Sequence, residues 1–175
     1  TTPTTRNVVF EEYTGILCGY CPLGHQKVLE YGQAHPGKVV PINIHTGGYA
    51  TAYQTSWGTA FMNQTNLTGF PAGTINRQVS SCKINAVTAS SGDWYSTANT
   101  ILADTTPVNI GATAQIDATA RTMTITVETY YTKAVSQSYN LLNVALLQDS
   151  IIGTQHNYGN YNPTQITANG QYRHM

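Results

Sequence analysis

Charge is what this sequence has least of. Eight Lys and Arg and eight Asp and Glu in 175 residues make it 9% charged with a net charge of zero, where ordinary globular chains are about 25% charged. Without a basic excess there is no diffuse field to hold a polyanion, so no nucleic-acid partner is expected. Long apolar runs are missing as well. No stretch approaches the roughly 20 residues of a membrane helix, and any membrane association is expected through a segment outside this chain. No charged n-region with an apolar h-region opens it; the chain starts Thr1-Thr2-Pro3 and reads as a mature or trimmed segment. Three cysteines are too few for a disulfide framework. The 41% hydrophobic content still suffices for a packed core, so the polar surface must be built from Thr, Asn, Gln, Ser and Tyr.

Periodicity and turn chemistry divide what is there. Val8-Val9-Phe10 continues into Glu11-Glu12-Tyr13 as a strand, Thr14-Gly15 turns, and residues 23–34 allow a helix through Leu23, Val28, Leu29 and Tyr31. His35-Pro36-Gly37 stops it, because the residue before Pro avoids helical backbone and Gly accepts positive φ. Residues 39–44, almost continuously apolar, predict a buried parallel strand. Residues 46–68 are irregular, with a short helix expected around 56–63. Gly69-Phe70-Pro71-Ala72-Gly73 is turn chemistry, Thr74-Ile75-Asn76-Arg77 starts another strand, and Ser91-Gly92-Asp93-Trp94 caps a helix through Leu102. This order predicts an α/β unit with a central sheet.

From residue 105 the period becomes two. Val108, Ile110, Ala112, Ala114 and Ile116 alternate, as do Met123, Ile125 and Val127, and then Leu142, Val144 and Leu146. Three such runs predict an antiparallel sheet with one buried face, which needs a second layer to cover it. The expected organisation is an α/β domain over 1–104 and a β-sandwich-like domain over 105–175 that is incomplete or unusually small.

The chemistry is concentrated in Cys18-Gly19-Tyr20-Cys21, with Cys82 alone. A Cys-x-x-Cys between a buried strand and a helix start places the first sulfur where unpaired backbone N–H groups and the macrodipole stabilise a thiolate. Cys18 is then the nucleophile and Cys21 resolves the mixed disulfide. Lys27 is the sole cation within ten residues of Cys18 after Arg6, so the thiolate must lean on the helix terminus. Glu12, six residues earlier on the strand, is placed to take the Cys21 proton if burial raises its pKa; Glu11 then points outward. Pro71, if cis, leaves the Phe70 backbone free to pair with an extended substrate, with Tyr20 as a third substrate contact.

These residues resemble the thioredoxin fold over 6–104. The resemblance implies a redox dithiol, a buried acid at Glu12 and a cis-proline at Pro71. Gly19-Tyr20 is similar to the pair in bacterial disulfide isomerases; the Trp usual before the first Cys is Leu17 here, and 46–68 is longer than a minimal thioredoxin needs. Glu11-Glu12-Tyr13-Thr14-Gly15, residues 42–45, residues 71–77 and the β segment ending at 155–174 together resemble the twenty-eight-kilodalton outer-membrane-protein family of the Bacteroidetes. That family implies a thioredoxin-like domain followed by a β-sandwich, export, and a periplasmic, outer-membrane or cell-surface location. The β domain would then continue past Met175.

Alternatives stay open at this point. Cys18 and Cys21 also suit a static disulfide in a surface binding or structural protein, and zinc finds only His25 nearby. His25 reads as an exposed helix residue, His45 as a strand-end residue satisfied by backbone, and Cys82 as a small buried hydrophobe. No cofactor or metal is called for. The expected partners are cysteine-containing exported proteins and a separate redox partner.

Overall fold

The architecture is that of a computed structural model of the chain, which describes residues 2–65, 67, 69–78, 84–85, 92–136 and 139–175. Strand β1 (Val8–Thr14) is an inner strand of a four-stranded sheet in the order β2 (Val39–His45), β1, β3 (Ala72–Ile75), β4 (Ile84–Asn85). Helix α1 (Cys21–Ala34) returns the chain to β2 (Val39–His45), which lies parallel to β1 with Val8 opposite Val39 and Thr14 opposite His45. A short helix α2 (Ser56–Met62), whose N-cap Thr55 hydroxyl accepts from the Gly58 amide, leads to β3 (Ala72–Ile75). β3 runs antiparallel to β1, and β4 (Ile84–Asn85) antiparallel to β3. Helix α3 (Gly92–Ala103) packs on the same core.

That core is Val8 and Phe10 of β1, Val28 and Tyr31 of α1, Ile75 of β3, and Trp94, Ala98 and Ile101 of α3. Phe10 meets Tyr31 edge-on at 5.8 Å and Trp94 at 5.9 Å, inside the range in which aromatic pairs add to their burial. The Arg6 amide donates to the Asp104 carbonyl and their side chains pair at 3.3 Å, closing the unit where β1 begins and α3 ends.

β2 is not the buried strand that its apolar run suggests. It lies at the sheet edge and is half-exposed, Val40 being open to solvent. Pro41 gives the reason, since a residue without an N–H cannot serve a ladder on both sides and belongs on an edge.

Beyond residue 104 the chain forms a long hairpin, β5 (Val108–Asp117) with β6 (Thr122–Tyr131), turned where Asp117 Oδ1 accepts from the Thr119 and Ala120 amides. Its register puts Ala112 opposite Val127, Ala114 opposite Ile125 and Ile116 opposite Met123, the apolar face that alternation predicts. Among the described residues no second layer covers that face, and its large side chains are exposed. The expected strand at Leu142, Val144 and Leu146 is likewise absent: these residues are exposed coil, with no neighbouring strand among the described residues to pair with. Alternation states which face could be buried, while burial itself needs a partner surface.

The end of the chain turns back. Strand β7 (Ile151–Gly153) pairs antiparallel with β8 (Tyr172–His174), and the intervening residues lie against the loop after β1 and against α1. No helix among the described residues is long and apolar enough to cross a membrane.

A dithiol loop with a buried polar floor

Cys21 is the first residue of α1 and Cys18 stands in the turn before it, because Pro22 favours a helix start and the Leu23 amide caps back onto the Tyr20 carbonyl. The two cysteines are joined in a disulfide with Cα atoms 5.4 Å apart. Cys21 is fully buried and Cys18 is 6% exposed.

Glu12 of β1 is 1% exposed, and neither carboxylate oxygen has a hydrogen-bond partner. Burial alone raises its pKa well above the ordinary carboxylate value. It faces Gly24 of α1: a Cβ added there would run into the Glu12 carboxylate and lie 3.1 Å from the Pro71 Cβ. Glu12, Gly24 and Pro71 thus converge on the first turn of the helix. The Phe70–Pro71 peptide is cis and leads directly into β3. Phe70 packs edge-on against Tyr49 at 6.0 Å. Tyr20 is exposed and meets Tyr158 at 5.5 Å and Tyr161 at 6.4 Å.

Glu11 is buried too, contrary to its expected outward position. It escapes water on the other side of β1, where Arg77 reaches it through Nε at 2.7 Å and Nη2 at 2.6 Å and the Thr74 hydroxyl donates at 2.9 Å. A bidentate guanidinium supplies the partner that a buried carboxylate requires, and the Arg77 plane in turn lies over Phe61.

His25 corrects a second expectation. It is not on an exposed helix face but 1% exposed, with Nε2 at 3.0 Å from the Thr14 hydroxyl and Nδ1 at 2.9 Å from the Tyr172 hydroxyl. The Asn162 amide donates to that same Tyr172 oxygen, which leaves the phenolic proton for His25. In the tautomer in which Tyr172 donates to Nδ1, the Nε2–H faces Thr14 and, at 3.7 Å, the Glu12 carboxyl. Burial, helped by His45 and His174, lowers the His25 pKa to about 3, so it is neutral. His45, expected to find a backbone partner, has a buried Nε2 with none. Its ring packs between Tyr53 and His174, and burial lowers its pKa to about 4. Cys82 lies outside the described residues.

The site therefore contains residues that its local motif does not announce. Tyr172, Asn162 and Gln155 come from the Asn- and Tyr-rich end of the chain, more than 130 positions from the dithiol, and Gln155 donates to the carbonyls of Gly15 and Cys18. The one sequence signal for His25 is its place four residues after Cys21, on the same face of the helix.

Comparison with known proteins comes from two directions. A family model described as outer membrane protein Omp28 matches residues 58–174. Among solved structures, HBP35 of Porphyromonas gingivalis is similar at 19% identity and a TM-score of 0.48, over 65% of this chain and 38% of that one. A protein of Agrobacterium tumefaciens is similar at 15% identity and a TM-score of 0.43, over 65% of this chain and 53% of that one. The chain thus spans well under two thirds of either. No curated protein matches.

Proposed function

The chain belongs to the outer membrane protein Omp28 family, and from that premise we propose that it is an exported thiol–disulfide oxidoreductase with a thioredoxin-like unit over 1–104, acting on cysteine-containing proteins outside the cytoplasm. The family's description as an outer membrane protein supports a location at the outer membrane or cell surface; export and access to the periplasm belong to the proposal. The residues from 105 onward are proposed as a second, β-type unit.

One observation carries the reading: a Cys18–Cys21 disulfide at the start of a helix whose first turn meets a buried, unpartnered carboxyl and a cis-proline. In the reduced protein the Cys18 thiolate, held by the helix N-terminus, attacks one sulfur of a substrate disulfide and expels the other as thiolate. Cys21 loses its proton to Glu12 and attacks the Cys18 sulfur. The Cys18–Cys21 disulfide forms and the substrate leaves with both sulfurs reduced. An unpartnered, desolvated carboxyl suits that role because its raised pKa lies nearer that of a thiol. Phe70, Pro71 and Tyr20 are assigned to substrate contact.

A second reading is favoured by the burial of both sulfurs: a surface binding protein whose disulfide is static. Insulin reduction and the reactivation of scrambled ribonuclease, with Cys18→Ala beside the native chain, decide between them. Activity that disappears with Cys18 supports the oxidoreductase. Activity equal in both chains, or a disulfide that glutathione buffers at −200 to about −300 mV leave fully oxidised, sinks it.

A further inference from the structure

The loop that carries Cys18 is not open to solvent on its tail side. Residues 155–161 lie across it: the His156 amide donates to the Ile16 carbonyl at 2.8 Å and the Tyr158 amide to the Gly19 carbonyl at 2.9 Å. The donors are two residues apart, as on one side of an extended segment, and the acceptors, Ile16 and Gly19, stand three apart in the turns that carry Cys18. The acceptors flank Cys18 in sequence, and the Gln155 side chain adds a bond to the Cys18 carbonyl itself at 2.9 Å. Tyr158 lays its ring on Gly19 so closely that a Cβ there would overlap it. This contact accounts for glycine between the cysteines without reference to any isomerase.

The segment is held lightly. His156 and Tyr158 are exposed, Tyr158 at 70%, and the segment meets the loop through these bonds, the Gln155 bond to the Gly15 carbonyl and the ring contacts of Tyr158 and Tyr161 with the exposed Tyr20. The chain after it is anchored firmly, with Tyr172 and His174 buried among His25, His45 and Tyr53. A lightly held stretch before a buried anchor opens locally at a small fraction of the cost of unfolding.

Resting on the oxidoreductase reading, we propose that residues 155–161 are an internal strap occupying the docking site for an extended polypeptide, and that a substrate segment reaches Cys18 by displacing it and taking over the Ile16 and Gly19 carbonyls. The ligand class is an extended peptide segment next to a cysteine, recognised through backbone N–H groups that donate to those two carbonyls. The geometry makes the dithiol self-covered in the absence of substrate.

The test needs no turnover, so it fails separately from the oxidoreductase reading. In the full chain with Cys21→Ser and Cys82→Ser, Cys18 is the single thiol. A short peptide carrying one cysteine as its mixed disulfide with thionitropyridine is added; the Cys18 thiolate attacks the peptide sulfur, a Cys18–peptide disulfide forms and thionitropyridine leaves as thiolate. Hydrogen exchange at the amides of residues 156 and 158 is expected to accelerate at least about ten-fold in this adduct and to stay slow when Cys18 carries only a thiomethyl group. Unchanged protection in the peptide adduct overturns the proposal. As a second measurement in the reduced single-thiol chain, Tyr158→Ser and Gly19→Ala are each expected to raise the iodoacetamide alkylation rate of Cys18 about ten-fold; rates equal to the parent's overturn it. If the strap passes both tests while Cys18→Ala leaves insulin reduction unchanged, the redox reading alone falls.

Discussion

The Glu12 carboxyl and the His25 imidazole stand 3.7 Å apart, both 1% exposed, and they are not an ion pair. Mutual attraction of opposite charges would lower the Glu12 pKa and raise that of His25. Both move the other way, Glu12 up and His25 down to about 3, so desolvation outweighs attraction and each group is driven toward its neutral form. Beside the start of α1 lies a polar cluster held together by neutral hydrogen bonds, with the Glu12 carboxyl left unpartnered.

Acid sensitivity is a consequence of that arrangement. His25 and His45 titrate near 6.5 when unfolded but at about 3 and about 4 when folded, and His174 is lowered by burial as well. Below pH 6.5 the unfolded chain binds protons that the native chain refuses, so their contribution is complete above 6.5 and is lost as pH falls toward 4. Each histidine costs up to about 1.4 kcal/mol per pH unit across its window. Glu12 opposes them, because its raised native pKa makes the folded chain the better proton binder above 4.5. Three histidines against one carboxyl leave a net loss. The urea midpoint is expected to be lower at about pH 5 than at about pH 7.5; an equal or higher midpoint at pH 5 refutes neutral burial.

Glu12→Leu separates stability from chemistry. An unpartnered buried carboxyl costs free energy that an apolar side chain of similar size does not, so the variant is expected to be more stable at about pH 8 by about 1–3 kcal/mol. Its acid loss should also be steeper, since the opposing group is gone. If Glu12 takes the Cys21 proton, the rate of disulfide exchange falls by about 100-fold or more in the same protein. Paired thermal melts and insulin-reduction rates check both halves; a variant that is less stable and fully active contradicts both.

How much of the fold and the site is legible in the sequence varies with how local each feature is. The strand–turn–helix around the dithiol, the turn at Pro71 and the burial of Glu12 rest on patterns contained within a few residues, and the structure shows those elements. Glu11 misleads because alternation along β1 assumes one wet face, whereas Arg77 arrives from β3's end to pair with it. His25 misleads because one of the residues that cover it, Tyr172, lies 147 positions away. Leu142, Val144 and Leu146 alternate as a strand would, yet period two cannot supply the neighbouring strand that pairing requires.

Gly24→Ala sets helix propensity against packing. In an open helix interior the change should stabilise by about 1 kcal/mol. Here the new methyl meets the Glu12 carboxylate and the Pro71 ring at 3.1 Å, neither of them a freely moving chain end. Overpacking at such a site costs about 1–3 kcal/mol, so the sign reverses and the variant is expected to be destabilised. A Tm equal to or above the parent's would show that Glu12 and Pro71 are not held tightly against α1.

The apolar side chains of the chain fall into two populations, and substitution distinguishes them. Ile101 of α3 is buried among Phe10, Val28 and Ile75, so Ile101→Ala removes packed methyl groups and is expected to cost about 2–5 kcal/mol. Ile116 of β5 is 76% exposed on the hairpin's apolar face. Ile116→Lys leaves no cavity and buries no charge, so it should change stability by less than about 0.5 kcal/mol while reducing the binding of an apolar dye to that face. Denaturant midpoints with tryptophan fluorescence give the comparison directly, since Trp94 sits in the core that Ile101 fills. A loss at Ile116 as large as that at Ile101 would mean that another part of the chain covers the hairpin in solution.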